Sequence, residues 1–124
     1  VVRIFPATRV PRAFGVRNGE GKIAHIDAVA LTDAGREGFV PVRAVVALHS
    51  WSADHADEIG LNGRVLTDRV GFVHDYSHDL IPVDDLGILE DGTNTFYIFS
   101  RTREHAAEVN YPGPALLIEY RRAR

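Results

Sequence analysis

The sequence predicts an all-β protein, an antiparallel β-sandwich in which residues 1–124 form one domain. Short runs of alternating apolar and polar residues recur between turn residues, and no stretch keeps a helical apolar period through three turns. The segment 57-DEIGLNGRVL-66 also places Asn62-Gly63 between two apolar runs. This dipeptide readily takes the positive φ angles of a type I′ turn, which joins two adjacent antiparallel strands.

Turn signals bound each of the predicted strands. Gly19 and Gly21 separate the second strand from the third, and Pro41 marks either an edge strand or the start of the fourth strand, because proline cannot donate a ladder hydrogen bond. Residues 84–92 have the pattern of a helical turn followed by a tight turn. One face of the fourth strand is predicted to carry Val40, Val42, Ala44, Val46 and Leu48. The predicted strands are 2–5, 10–17, 22–31, 39–50, 58–61, 64–74, 78–83, 94–100 and 115–122.

The directions of these strands predict that three loops meet at one end of the sandwich. If the turn at Asn62-Gly63 is at the bottom, the preceding loop 49–57 is at the top. A single upward strand 64–74 then places 75–77 at the top, and two further strands bring 101–112 to the same end. A break of 64–74 into two antiparallel strands would scatter these loops. The side chains expected at this rim are His49, Trp51, His55, His74, Tyr76, His78, Arg101, Arg103 and His105.

The composition excludes several classes of partner. The formal net charge of −3 gives no general attraction to nucleic acid or to anionic lipid, and no apolar run approaches the roughly 20 residues that span a bilayer. We therefore expect neither a nucleic-acid nor a membrane partner. With no Cys there is no disulfide framework, thiol nucleophile or thiolate metal site. No signal peptide is visible, and the absence of any Met suggests a processed, trimmed or excised piece. The compartment stays open.

The second half of the chain carries a recognisable series of hairpins and turns. The series is the hairpin Leu61-Asn62-Gly63, the run 81-IPV-83 with Leu86, the stretch 91-DGTNTF-96, and a last strand from Ala115 to Tyr120. It resembles the galactose-binding-domain-like modules, jelly-roll sandwiches attached to carbohydrate-active enzymes. The resemblance implies a jelly-roll type of sandwich that binds sugars with its end loops, or a non-catalytic subunit of an enzyme. Many such modules hold a structural calcium, but no calcium motif matches here.

Sugar binding is the function that the rim favours. A sugar ring needs an aromatic surface and paired polar groups, and Trp51, the one Trp of the chain, lies in a polar loop. The alternative is that Trp51 closes the core as a lid. Arg101 and Arg103 can bind hydroxyls or a carboxylate, or can form surface ion pairs of little consequence. The predicted ligand-binding residues are Trp51, His49, His55, His74, Tyr76, Arg101, Arg103 and His105.

A metal site is a second hypothesis. His74 and His78 flank a strand corner that can bring them together, and His49, His55 or His105 could add a third ligand. No H-E-x-x-H motif is present, and solvated or structurally bonded histidines are the alternative. A zinc-like ion is therefore a possible cofactor, the resemblance makes calcium another, and neither is required.

Catalysis is the third hypothesis. His105 with Glu108, or His74 with Asp79, has the composition of a general acid–base pair. No serine lies in a G-x-S-x-G turn. The sequence as a whole predicts a non-catalytic carbohydrate-binding or accessory module. The alternatives are a small subunit or interaction domain of a larger carbohydrate-active enzyme, and a histidine-based metal-dependent enzyme.

Overall fold

The computed structural model describes residues 1–7, 13–31, 38–67 and 70–123. Two short 3₁₀ turns, Ala53–His55 and Leu86–Ile88, interrupt a chain of strands. The strands of the described residues are β1 Val2–Pro6, β2 Ala13–Val16, β3 Glu20–Val29, β4 Phe39–Trp51, β5 Glu58–Leu61, β6 Arg64–Thr67, β7 Tyr76–Pro82, β8 Gly92–Ser100, β9 Ala107–Asn110 and β10 Ala115–Arg122.

The strands form two antiparallel sheets. Sheet A has the order β1-β10-β4-β9-β2, with β7 on the opposite side of β4, and sheet B has the order β3-β8-β5-β6. Alternate side chains of both sheets are buried between them, since β4 buries Val46 and Leu48 and β8 buries Phe96 and Ile98. This confirms the predicted all-β antiparallel sandwich. No helix of the described residues is long and apolar enough to cross a membrane.

The Asn62-Gly63 turn is confirmed as the hairpin between β5 and β6. Asn62 and Gly63 have φ angles of 51° and 78°, as a type I′ turn requires. The Asn62 amide nitrogen donates to the Ile88 carbonyl and to Asn94 Oδ1, both at 2.8 Å, and its oxygen accepts from the Thr95 N–H at 2.8 Å. The turn is therefore tied to the neighbouring strand as well as to its own hairpin.

Several predicted strand limits are wrong. The strand predicted over 64–74 ends at Thr67, and 70–75 are irregular, whereas residues 68 and 69 lie outside the described part. The loops predicted at one end of the sandwich nevertheless stay at that end. β6 runs up from the Asn62-Gly63 turn, and β7 runs down again from the top. Residues 107–110, predicted as loop, form β9, and residues 10–12 of the predicted second strand lie outside the described residues.

The face predicted for the fourth strand is only partly confirmed. Ala44, Val46 and Leu48 are buried, but Val40 and Val42 are each 41% exposed. The register against β10 shifts between Glu119 and Tyr120, which interrupts the alternation of β4 at this point. β4 is also the central strand of sheet A, since β7 and β10 flank it, so Pro41 marks its start and not an edge.

Candidate functional site

Hydrogen bonds join the three polar loops at one end of the sandwich. Ser52, which is buried, accepts the His74 N–H at 2.6 Å and donates its own N–H to the Asp75 carbonyl at 3.0 Å. His55 Nδ1 donates to the His105 carbonyl at 3.0 Å, since a carbonyl can only accept. The loops 52–57, 70–75 and 101–106 are thus held to one another by hydrogen bonds that each use at least one backbone group, which fixes the side chains that they carry.

Four rings from these loops form one cluster, which we call the indole–imidazole cluster: Trp51, His55, His74 and His105. The His74 ring lies nearly parallel to the Trp51 indole, with centroids 5.7 Å apart, and it meets the edges of His55 and His105 at 5.9 and 4.5 Å. His105 also meets Trp51 at right angles, at 5.8 Å. His74 is therefore the centre of the cluster.

His74 occupies its central position in an unusual backbone conformation. Its φ is 53°, in the left-handed region that favours glycine, and Ser52 has the same φ. Non-glycine residues persist there when the surrounding structure holds them, and such strain clusters at functional sites. The two hydrogen bonds between Ser52 and residues 74–75 supply that restraint.

Three further rings form a separate group, the histidine stack of His49, Tyr76 and His78. His49 of β4 lies directly opposite His78 of β7, and the two imidazoles stack with centroids 4.0 Å apart and planes 13° apart. Tyr76 lies 6.2 Å from His49. His49 Nδ1 donates to the Tyr111 carbonyl at 3.2 Å, so its Nε2 is the nitrogen left for a ligand.

Trp51 faces outward, not into the core. In β4 the inward positions are Ala44, Val46, Leu48 and Ser50, all buried, so Trp51 lies on the outer face of sheet A at the rim. Trp51 is partly buried at this position, and its indole contacts the rings of His74 and His105. Its neighbours in register are Glu108 of β9 and Tyr76 of β7. Glu108 was not expected beside the indole, because the sequence predicts a loop where β9 forms.

The two arginines lie apart from the rings. The Arg101 guanidinium is 4.7 Å from the Phe99 ring centre on the outer face of sheet B, while its backbone N–H donates to Asp57 Oδ2 at 2.6 Å. Arg103 is exposed on the loop 101–106. Within the described residues, neither guanidinium forms an ion pair. Both are at the rim, and no cation–π contact within the described residues joins either guanidinium to the indole–imidazole cluster.

Within the described residues, no hydrogen bond or ion pair joins the members of the predicted metal and acid–base pairs. His74 belongs to the indole–imidazole cluster and His78 to the histidine stack, and the described residues contain no group of three side chains suited to a metal ion. Asp79, the expected partner of His74, accepts instead from the Ser77 hydroxyl at 2.8 Å. The rim is therefore an array of aromatic faces and imidazole nitrogens beside carboxylates.

Solved structures of other proteins share the fold of this chain. No protein-family model and no curated protein matches the chain. Among solved structures, BuGH86 in complex with neoagarooctaose matches 96% of this chain with a TM-score of 0.66 and 19% identity. A β-porphyranase of glycoside hydrolase family 86 from the human gut bacterium Bacteroides plebeius matches 97% with a TM-score of 0.63 and 15% identity. The chain spans only 19% and 21% of those proteins. Its fold therefore also occurs as one part of much longer glycoside hydrolase chains.

Proposed function

We propose that this chain is a non-catalytic carbohydrate-binding module that belongs with carbohydrate-active enzymes and binds a glycan at the rim. The observation that carries the proposal is the outward-facing Trp51, held in place by His74 and His105. An indole offers a flat surface to the C–H face of a sugar, and each neutral imidazole offers one donor and one acceptor to its hydroxyls. The likeness in fold to parts of two glycoside hydrolases supports the same class of ligand.

The ligand-binding residues that we propose are those predicted from the sequence, with two additions. Trp51 is the platform, and Glu108 and Tyr76 beside it in register bind hydroxyl groups. His78 joins His49 as a polar and stacking contact. The jelly-roll and galactose-binding-like relation is part of this proposal. The remaining proposed contacts are His55, His74, His105, Arg101 and Arg103.

Affinity electrophoresis through gels that contain neutral and acidic polysaccharides tests this function. The wild-type chain should be retarded by at least one polysaccharide, and Trp51→Ala should lose most of that retardation. Phe72→Ala is the matched control, because Phe72 is a 58% exposed aromatic residue of the adjacent loop that makes no ring contact with Trp51. Retardation by no polysaccharide, or equal retardation of wild type and Trp51→Ala, would refute the proposal. Reducing-end assays on the same polysaccharides should show no cleavage.

A second candidate function, an interaction domain, rests on the part of the same sheet face that lies farther from the rim. The outer face of sheet A carries an aliphatic patch in two rows across β1, β10, β4 and β7. Ile4 and Leu80 within it are 64% and 65% exposed, and contiguous exposed apolar area of this kind marks protein contacts. The rows are Ile4, Leu117, Val45 and Pro82, and Pro6, Ala115, Ala47 and Leu80.

Sedimentation velocity and dye binding test this second function on the isolated chain. The patch should bind 1-anilinonaphthalene-8-sulfonate in the folded protein or cause self-association with rising concentration. Leu80→Asp should abolish either effect, whereas Ile23→Asp, at a 60% exposed position on sheet B, should not. A monomer that binds no dye would argue against an interaction domain.

A further inference from the structure

The rim continues down the outer face of sheet A without a break. Outward-facing partners of β4 and β7 follow one another as Trp51 with Tyr76, His49 with His78, and Ala47 with Leu80. Successive outward pairs on a strand are about 7 Å apart, so the three pairs cover about 14 Å. This surface is longer than a single sugar ring.

A shallow depression of about 200 Å³ lies at the far end of this surface. Residues of β4 and β7 line it, together with the segment between β9 and β10 and the first residue of β10. It joins the histidine stack directly, because His49 and His78 line both. The other lining residues are Ala47, Leu48, Asp79, Leu80, Pro112, Gly113 and Ala115.

The chemistry of the surface alternates between flat rings and polar atoms. His78 is exposed and stacks on His49, so the pair presents an imidazole face to solvent. The bond from His49 Nδ1 to the Tyr111 carbonyl fixes the orientation of that pair. The lining of the depression adds aliphatic carbon from Ala47, Leu80 and Ala115. A sugar chain, with apolar C–H faces and hydroxyl edges, matches this alternation.

The charge of the rim selects against acidic glycans. The three loops carry four carboxylates, Asp54, Asp57, Asp75 and Glu104, and β9 adds Glu108, against the two guanidinium groups of Arg101 and Arg103. A sulfated or carboxylated chain would therefore meet like charge at the rim, which disfavours its binding.

We infer that the site takes the interior of an extended, uncharged oligosaccharide, which runs from Trp51 over the histidine stack into the depression beside Leu80. A single terminal sugar would fill only the end of this site at the Trp51 indole. This inference rests on the proposed function and specifies its substrate class.

Isothermal titration calorimetry with two neutral galactan fragments tests the inference. We choose neoagarooctaose, which is bound in one of the solved structures of similar fold, and the much shorter neoagarobiose. The long fragment should bind at least tenfold more tightly. His78→Ala should weaken binding of neoagarooctaose severalfold and leave neoagarobiose unaffected. Ile23→Ala, on the opposite sheet, is the matched control and should change neither. Since His78 and Ile23 are both exposed, the thermal midpoints of the two variants should equal the wild-type value.

The possible outcomes separate this inference from the proposed function. Equal affinity for the two fragments, or no effect of His78→Ala, overturns the extended site while leaving a sugar site at Trp51 intact. Binding of neither neutral fragment also overturns the inference. Stronger retardation by acidic than by neutral polysaccharides overturns the choice of an uncharged chain. The proposed function itself is decided by the polysaccharide gels and the Trp51→Ala variant, which do not depend on chain length.

Discussion

The Trp51 indole and the His74 imidazole lie almost parallel, with ring centroids 5.7 Å apart and planes 14° apart. Trp51 is the last residue of β4 on sheet A, whereas His74 lies in the irregular segment that leads from sheet B to sheet A. Their contact therefore joins the end of β4 to the loop 70–75. The position of the indole depends on a loop residue in the left-handed conformation, and this dependence can be tested by substitution.

His74→Gly should separate the role of the ring from the role of the backbone. Glycine adopts a φ of 53° without a steric penalty, so the free energy of unfolding should stay within about 0.5 kcal/mol of wild type. His74→Ala should be about 1 kcal/mol less stable than His74→Gly, because alanine, like histidine, keeps a strained Cβ at this φ and glycine does not. Both variants remove the ring beside Trp51, so both should lose glycan retardation. Urea unfolding and affinity electrophoresis measure the two effects, and a glycine variant less stable than the alanine variant would contradict the backbone argument.

Asn94 should be the most sensitive polar residue of the fold. Its side chain is fully buried, accepts from Asn62 Nδ2 and the Glu90 N–H, and donates to the Glu90 carbonyl. Asn94→Ala leaves those groups without partners and should lower the free energy of unfolding by about 2–4 kcal/mol in urea.

Asn18→Gly is the control for the Asn94 experiment. Asn18 is exposed at a turn with a φ of 57°, which glycine adopts freely, so its change should be within about 0.5 kcal/mol. A loss of stability in Asn94→Ala no greater than in Asn18→Gly would show that the buried amide network contributes little.

Gly60→Ala should disrupt the packing of sheet B. A Cβ at Gly60 would lie 2.2 Å from Tyr97 Cε1 and 2.6 Å from the Arg64 carbonyl oxygen, and the carbonyl belongs to the paired strand. We expect a loss of about 1–3 kcal/mol in the free energy of unfolding, as for overpacked cores. Gly21→Ala is the matched control on the same sheet, because its Cβ would meet Phe99 at 3.5 Å, an ordinary contact. Equal thermal midpoints for the two variants would contradict the expectation.

Loss of the Tyr120 proton should lower the free energy of unfolding at alkaline pH. Burial raises the pKa of Tyr120, a residue that is 1% exposed and whose hydroxyl donates to the Ala30 carbonyl. The folded protein therefore keeps this proton at a pH where the unfolded chain has lost it. The resulting stability is fully present below about pH 10, the pKa of the unfolded chain, and is lost as the pH rises through the folded pKa.

Urea unfolding between pH 8 and 11 measures the contribution of Tyr120. Tyr120→Phe should be less stable than wild type at pH 8, because the bond to Ala30 is lost, and should lose less stability above pH 10. Burial and the Glu58 carboxylate also raise the pKa of Tyr97, so part of the alkaline loss should persist in this variant. Parallel pH profiles for wild type and Tyr120→Phe would contradict the assignment.

Local sequence determined the parts of the fold that depend on a few neighbouring residues. The Asn62-Gly63 turn follows from the positive φ angles that these two residues tolerate. The strands at 94–100 and 115–122 follow from short runs with alternating burial. The alternation within each run is enough to predict a strand. Because every strand is antiparallel to its neighbours, the same information also predicted that the polar loops share one end.

Only the tertiary structure decided which rim residues belong to the indole–imidazole cluster and which to the histidine stack. Residues 107–110 became a strand because β2 and the end of β4 pair with them, which no local pattern records. His74 and His78 are four residues apart, yet one joins Trp51 and the other stacks on His49, because β7 starts between them and fixes only His78 in the sheet. Pairing between distant strands set the register of His49 with His78 and of Trp51 with Glu108. Such partners are selected by packing across the whole chain, so they could be read only from the folded structure.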